Sequence, residues 1–313
     1  MRAKGSAIRL KLGNDLPISH PVNVRLREAI AAISAETQGS LAIELFPNNQ
    51  LGGDPGMLSQ IRSGALELAT FPGTVMSTLV PVMAVSGVGF AYTDYGKVWA
   101  SMDGSLGDYL RRQVSSAGLH PFDAVWDNGF RQITTSTKPI QTPADLVNFK
   151  IRVPVVPLWV AMFKALAAAP ISIPLNEAYS SLQTKIADGQ ENPLSLINIA
   201  KFYEVQKYCA LTNHAWDGFW LVANSALWQR LPADMQAVLA KHLNGAALKE
   251  RADIAEANVT LRQDLEAKGL SFTSIDADAF RHALNVSGFY AQTRAKFGEE
   301  AWLLLETFTG RLE

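Results

Sequence analysis

Hydrophobic and polar positions alternate in the first seventy residues with two periods. A two-residue period over 8–12 predicts a strand, and the loop 13–21 leads into a helical pattern that Gly39 can end. Further patterns predict a second strand over 41–46, a short helix that ends at Gly64 and a third strand over 68–71. This β-α-β-α-β order predicts parallel strands joined by right-handed crossovers. Ligands in such sheets bind beyond the carboxyl ends of the strands, which here are the loops 14–20, 48–54 and 71–74.

The middle of the chain repeats the alternation of predicted strands and helices. Two alternating runs, 120–126 and 130–135, predict strands separated by Asp127-Asn128-Gly129, which we interpret as a crossing between lobes. The patterns that follow predict, in order, a strand over 150–153, a helix over 157–168, a strand over 170–173, a helix over 176–185 and strands over 206–213 and 218–224.

The last third of the chain carries a nearly unbroken helical pattern over 232–268. Pro232 can begin this helix and Gly269 can end it, while Gly245 marks a possible break. At about 1.5 Å per residue the helix would reach roughly 55 Å, long enough to cross two lobes. The remaining residues predict further packing helices.

Length favours two lobes, because 313 residues exceed the size at which single cores usually stop growing. We expect an α/β fold. The predicted first lobe is 1–127 plus about 214–250, and the predicted second lobe is 128–213 plus about 251–313 with the C-terminal helices.

Composition and charge exclude several classes of function. A net charge of −1 leaves no excess of positive charge to attract nucleic acid. Any site for an anion must therefore be local. Cys209 is the only cysteine, which excludes an internal disulfide and a cysteine-based metal cluster. The longest apolar stretch, about 79–92, is broken by proline and glycine and is too short to span a bilayer. The start, Met1–Ser6, has no apolar core of a secretion signal, so the protein is cytosolic or its signal has been removed.

Arg152 is the candidate with the clearest chemistry. Ile151 and Val153 flank it as in a strand, and Pro154 ends the ladder because proline has no N–H to donate. A guanidinium on a rigid strand presents a planar fork that matches the two oxygens of a carboxylate. A lone arginine on a strand is more often only a salt-bridge partner.

Patterns for catalysis are absent. The chain has no GxGxxG, no phosphate loop, no GxSxG and no HExxH, and its five histidines form no close metal-ligand pair. We therefore expect no metal, no cofactor and no catalytic residue.

Three segments together resemble the signature of the solute-binding proteins of tripartite ATP-independent periplasmic (TRAP) transporters: Phe149–Pro154, Leu175–Thr184 and Ala187–Pro193. Further matches fall in the family's order at 49–53, 129–134, 139–146 and 212–214, so that the resemblance covers nearly the whole chain. It implies a two-lobed periplasmic binding protein fold, with a cleft between lobes that close on a small organic anion and a long helix that spans both.

The resemblance also implies roles for individual residues. Arg152 matches the carboxylate-binding arginine, Arg131 a second arginine near the ligand, and Asn192 an asparagine that bonds the carboxylate or braces the arginine. Leu175 matches an apolar or aromatic ligand contact. The resemblance is weaker in the first lobe, where the ligand contacts would come from Asn14, His20 and Phe71.

Each candidate also has a structural interpretation. Arg131 would be an ion-pair residue, Asn192 before Pro193 a turn cap, and His20 before Pro21 a helix-entry residue. Aromatic residues in strands are more often core than ligand wall, and this alternative applies to the candidate Trp216 and to Trp126, Phe219 and Trp220. Glu191 is expected to be structural.

The predicted function is capture of a small organic acid by its carboxylate and delivery to the integral membrane subunits of a TRAP transporter. The two arginines favour acids over neutral sugars. The aromatic residues, with few acidic ones in the candidate loops, favour a monocarboxylate over a dicarboxylate. Such a monocarboxylate would be a hydroxy acid, a 2-oxo acid, including an aromatic one, or a sugar acid. We expect a periplasmic monomer that does not itself span the membrane and binds no nucleic acid. The competing classes are an enzyme that acts on an organic acid with His20 as base, and a cytosolic sensor or scaffold.

Overall fold

The structure, a computed structural model, describes residues 7–313, so the prediction made on Met1–Ser6 lies outside the described residues. Its strands are β1 (Ile8–Gly13), β2 (Leu41–Phe46), β3 (Leu68–Pro72), β4 (Leu119–Pro121), β5 (Trp126–Thr135), β6 (Lys150–Val153), β7 (Ala169–Ser172), β8 (Gly189–Pro193), β9 (Tyr208–Leu211), β10 (Trp216–Asn224) and β11 (Ser271–Ser274).

Helices connect and follow these strands. They are α1 (Pro21–Glu36), α2 (Asp54–Ser63), α3 (Gly73–Met76), α4 (Tyr95–Met102), α5 (Ser105–Ser116), α6 (Pro157–Ala165), α7 (Leu175–Gln183), α8 (Leu194–Ile199), α9 (Ser225–Arg230), α10 (Ala233–Ala267), α11 (Ala277–Val286), α12 (Phe289–Phe297) and α13 (Glu299–Thr309), with 3₁₀ turns at Pro81–Gly87, Pro143–Leu146 and Phe202–Glu204. Among the described residues, no helix is long and apolar enough to cross a membrane.

The chain forms two compact units. The first contains residues up to Phe71, Arg111–Asp127 and Phe219–Ile254. Its strands are ordered β2-β1-β3-β10, with β1 parallel to both neighbours and β4 antiparallel to β10. A core cluster of apolar side chains from β1, α1, β10 and α10 fills this unit, including Leu12, Leu26, Leu221 and Leu243. The predicted parallel β-α-β-α-β opening is therefore confirmed.

The second unit contains Pro72–Leu110, Asn128–Gly218 and Ala255–Glu313. Its strands are ordered β5-β8-β6-β7, where β6 runs parallel to β7 and β8, and β5 runs antiparallel to β8 and β9. β11 pairs with β9 in parallel. A core cluster in this unit contains Ala178, Leu182, Ile197, Cys209 and Leu265, contributed in part by α7 and α10.

Residues 72–110 belong to the second unit, whereas the sequence prediction assigned them to the first lobe. The reason is their packing against later elements of the chain. The rings of Phe90 and Phe280 lie 5.8 Å apart, Tyr290 donates to the carbonyl of Gly89 at 3.1 Å, and Trp159 donates to the carbonyl of Gly87 at 2.9 Å. These contacts join segments far apart in sequence, which local patterns cannot predict.

The predicted separation of two strands at Asp127-Asn128-Gly129 is wrong, because β5 runs through these residues without a break. Gly129 has φ +112°, a conformation that glycine adopts without steric cost. The boundary between the two units nevertheless falls between Asp127 and Asn128, within the segment predicted as a crossing.

The long helix predicted over 232–268 is confirmed as α10, which has 35 residues and no break at Gly245. Its residues up to Ile254 belong to the first unit and those from Ala255 to the second. Gly269 has φ +94° and ends the helix, and the Leu270 N–H bonds to the carbonyl of Leu265 at 3.0 Å.

Candidate functional site

Arg152 lies on β6, a strand that pairs in parallel with both β7 and β8. Its neighbours Ile151 and Val153 are completely buried, and Arg152 itself is 1% exposed. The Nε–H donates to the carbonyl oxygen of Ile173 at 2.8 Å. This bond fixes the plane of the guanidinium, so that the two terminal nitrogens form a rigidly oriented fork of the kind that binds carboxylates.

Arg131 and Glu191 form a buried ion pair on the adjacent strands β5 and β8. Nε donates to one carboxylate oxygen of Glu191, and Nη2 donates to the other at 3.0 Å and to the Glu191 carbonyl at 2.9 Å. The Trp159 ring lies 4.4 Å from the Arg131 guanidinium carbon. Burial alone would raise the pKa of Glu191, but the charge of Arg131 and the bond from His214 outweigh it, and the pKa falls below its usual range. Glu191 is therefore ionised and neutralises Arg131.

His214 extends this pair. Its Nε2 lies 3.2 Å from a Glu191 carboxylate oxygen and its Nδ1 lies 2.7 Å from the Thr212 hydroxyl. Burial lowers the pKa of His214 more than the neighbouring carboxylate raises it. The ring is thus neutral, and because an ionised carboxylate only accepts, the proton sits on Nε2.

Asn192 is held by a chain of hydrogen bonds that sets the direction of its amide. Its Oδ1 accepts from Arg131 Nη2 at 2.8 Å, and its Nδ2 donates to Gln190 Oε1 at 2.5 Å. Gln190 in turn donates to the Thr134 hydroxyl at 2.8 Å. Asn192 is 2% exposed. Its amide nitrogen, which carries two hydrogens, is therefore the group that it can offer to a ligand as a donor.

The two apolar candidates of the second unit lie in packed surroundings. Trp216 is 1% exposed and meets Tyr92 and Trp99 edge-on, with ring centroids 6.2 and 5.5 Å away. Leu175 is the first residue of α7, is half-buried and packs on the core cluster that contains Leu182. Trp216 thus has the environment of a core aromatic residue.

In the first unit, the loop after β1 contains Asn14, which is completely buried. Its amide donates to Asn23 Oδ1 at 2.7 Å, and its own oxygen accepts from the N–H of Leu16 at 3.1 Å. These bonds give Asn14 a bracing role in the loop. Phe71, on β3, is also completely buried.

His20 is the N-cap of α1, and its Nδ1 accepts from the N–H of Val22 at 3.3 Å. Burial lowers its pKa to about 3, and its ring lies edge-on to Phe219 at 5.8 Å. The ring is therefore neutral with its proton on Nε2, which is buried and has no hydrogen-bond acceptor among residues 7–313. A histidine whose only lone pair already accepts a backbone N–H is a donor and a poor base, so the role of His20 as an enzymatic base is not supported.

Two buried groups of the second unit have no role predicted from the sequence. His214 falls only within a segment that matches the family, and its pairing with Glu191 depends on a contact between β8 and the loop after β9. Asp217 accepts from the hydroxyl of Thr74 at 2.7 Å, and burial raises its pKa to about 6. A charged residue inside the mostly apolar pattern of β10 is the one signal that could have pointed to it. No group of metal-binding side chains occurs within the described range.

Known proteins resemble this chain along most of its length. The family model for bacterial extracellular solute-binding protein family 7 (DctP) matches residues 13–290. A periplasmic protein of Escherichia coli named for binding 2,3-diketo-L-gulonate is 32% identical over 89% of this chain and 85% of its own.

Solved structures agree with this relationship. A TRAP periplasmic solute binding protein of Roseobacter denitrificans with bound L-galactonate has a TM-score of 0.89 and 30% identity, over 97% of this chain and 99% of its own. One from Sulfurospirillum deleyianum with bound succinate has a TM-score of 0.90 and 26% identity, over 98% and 99% of the two chains. The chain therefore belongs to bacterial extracellular solute-binding protein family 7, the solute-binding proteins of TRAP transporters, and is a binding protein rather than an enzyme.

Proposed function

We propose that the protein binds a small hydroxy or oxo monocarboxylic acid, of the sugar-acid type, through the guanidinium of Arg152. The observation that carries this proposal is the burial of Arg152 together with its anchoring bond to the Ile173 carbonyl. A buried, pre-oriented fork loses little conformational entropy when it binds a carboxylate.

The ion pair between Arg131 and Glu191 favours a ligand with a single carboxylate. Its charge is already balanced by Glu191 in a bidentate pair, so it offers little net attraction to a second anionic group. The relatives named for 2,3-diketo-L-gulonate and solved with L-galactonate support a sugar acid, which carries one carboxylate and several oxygens. The relative solved with succinate keeps a dicarboxylate as the competing ligand class.

The other predicted ligand residues differ in the hydrogen-bonding groups that they can offer to a ligand. Asn192 offers an amide N–H, which suits a carboxylate or hydroxyl oxygen, and Arg131 braces it through Oδ1. His20 offers Nε2–H to an oxygen. Asn14, Phe71, Leu175 and Trp216 stay predicted ligand residues, although their bonds and packing also give each a structural role.

The bound acid is handed to the membrane subunits of a TRAP transporter. We propose that the protein acts in the periplasm as a monomer, in keeping with the periplasmic relatives. This role needs no metal and no cofactor.

A thermal-shift panel tests the ligand class. L-galactonate, succinate and uncharged galactitol are compared at equal concentration, since a ligand at about 100 times its Kd adds about 2.7 kcal/mol to the unfolding free energy. At a concentration of about 0.1 mM we expect L-galactonate or a related hydroxy or oxo acid to raise the melting temperature, and galactitol, which lacks the carboxylate, to leave it unchanged. A larger shift with succinate than with every monocarboxylate would refute the proposed class.

A further inference from the structure

A pocket of about 380 Å³ lies within the second unit and is separate from the candidates for the acid. Its lining combines residues of β5, the start of α4, the β8–α8 junction, the end of β9 and α10. None of the eight predicted ligand residues contributes to it. Its volume falls at the lower end of the range for small-molecule sites, which is about 300–1,000 Å³.

Amide side chains dominate the polar part of the lining: Asn128, Gln132, Asn213 and Asn258. Gln132 donates to the Asn213 side-chain oxygen at 2.5 Å and accepts from the Asn213 backbone N–H at 3.0 Å. This pair fixes both amides, with the Asn213 nitrogen as a donor. Amides offer donors and acceptors together, which matches hydroxyl groups, since a hydroxyl does both.

The charge of the pocket disfavours anions. Among the described residues that line it there is no lysine, arginine or histidine, and the one carboxylate is that of Asp94. Bonds from the Lys97 backbone N–H and the Thr93 hydroxyl lower the pKa of Asp94, which keeps it ionised. An organic acid would meet a negative charge here and no cation.

Asn128 has an unmet hydrogen-bond requirement at the pocket. It is 2% exposed, and within residues 7–313 its side-chain oxygen has no hydrogen-bond donor. A buried acceptor without a partner is unfavourable, and a ligand hydroxyl that donates to it would remove this cost. The oxygen without a donor is an observation independent of the shape of the pocket.

Two aromatic rings give the pocket its apolar wall. Tyr95 and Phe130 meet edge-to-face with centroids 5.1 Å apart, and Pro193 also lines the pocket. Aromatic faces pack well against the C–H groups of a ring-shaped polyol while amides bond its hydroxyls.

We propose that this pocket binds an uncharged, polyhydroxylated molecule of monosaccharide size, at a site distinct from that of the organic acid. Binding here does not involve Arg152, so failure of this proposal would leave the proposed function untouched, and the reverse also holds.

Saturation-transfer NMR of the full chain with D-galactose and with myo-inositol tests the pocket. We expect saturable binding with a Kd of about 1–10 mM. Asn258→Trp fills the pocket from α10 and should abolish binding, while Asn258→Ala removes one amide without added bulk and should weaken it severalfold. Val259→Trp places the same ring at the neighbouring position, which is 77% exposed, and should leave binding unchanged.

Three outcomes overturn the proposal. They are no saturable signal from either polyol up to about 50 mM, binding that is unaltered in both Asn258 variants, and equal loss in the Val259→Trp control. Melting temperatures of all three variants establish that each is folded before binding is compared.

Discussion

At the residue scale, the second unit couples two neighbouring side chains of β8 to one arginine. Glu191 balances the charge of Arg131, and Asn192 accepts from its Nη2. These residues could be predicted as a group because they match family segments. The ion pair between Arg131 and Glu191 could not be predicted, since it depends on the pairing of β5 with β8, which are far apart in sequence.

Glu191→Gln should destabilise the folded state strongly. The change leaves the buried guanidinium of Arg131 without a counter-charge, which costs about 3–5 kcal/mol of unfolding free energy. Urea denaturation measures this loss, with Glu177→Gln on the exposed side of α7 as the matched control, expected within about 0.5 kcal/mol of wild type. A loss below about 1 kcal/mol for Glu191→Gln would contradict the ion-pair role.

Glu250 is a second buried carboxyl, in the first unit. Its Oε2 accepts from the N–H of Asp127 at 2.9 Å. Burial, foremost, and the nearby carboxylates of Asp127 and Asp253 raise its pKa well above the usual range, while Arg251 opposes them. Because the folded pKa exceeds the unfolded one, the stability that protonated Glu250 contributes is fully present below the unfolded pKa and is lost as pH rises through the folded pKa.

Glu250→Gln should therefore gain stability relative to wild type as pH increases above the ordinary glutamate pKa of about 4.5. Glutamine keeps an acceptor for the Asp127 N–H and cannot ionise. Unfolding free energies at several pH values measure the difference, and Glu256→Gln, exposed on the same helix, serves as control. A difference between Glu250→Gln and wild type that is constant with pH would refute this assignment.

At the element scale, helices and strands with strong periodicity matched their predictions, and exceptions have physical causes. The strand predicted over 120–126 is only β4, Leu119–Pro121, whereas β5 includes residues 127–129, which were predicted to separate two strands. Turn-forming residues lie inside β5 because Gly129 adopts a positive φ there. Local propensity cannot reveal that pairing with a neighbouring strand has overridden it.

Gly245, inside the long helix, and Gly269, just beyond its end, give an element-scale prediction. Gly245 lies inside α10, where an added Cβ would meet open space, so Gly245→Ala should stabilise the protein by about 0.5–1 kcal/mol. Gly269 ends the helix at φ +94°, and Gly269→Ala should destabilise it by about 1 kcal/mol. Thermal unfolding of both variants measures the contrast, and effects of the same sign would contradict an unbroken helix with a glycine end.

At the scale of the whole molecule, the α/β class, the long helix and the family could be predicted from the sequence. The placement of residues 72–110 in the second unit could not, because it depends on contacts such as that of Phe90 with Phe280. The candidate residues were predictable by resemblance. Their protonation states and donor directions, such as the neutral Nε2–H of His20, depend on burial and partners that only the folded chain defines.

The proposed monomer has a direct test. Light scattering should give a mass near 34.0 kDa both with and without a stabilising acid. A doubled mass in either condition would contradict the proposal.

The central claim, that Arg152 binds the carboxylate, is tested most directly by calorimetry with the acid that gives the largest thermal shift. Removing one partner of a buried charge pair costs about 2–5 kcal/mol, so Arg152→Ala should weaken binding by at least about 30-fold. Arg152→Lys should remain weaker than wild type because an ammonium lacks the fork. Lys150→Ala removes an exposed cation of the same strand and should leave the affinity unchanged. Affinity of folded Arg152→Ala within about twofold of wild type would contradict the account.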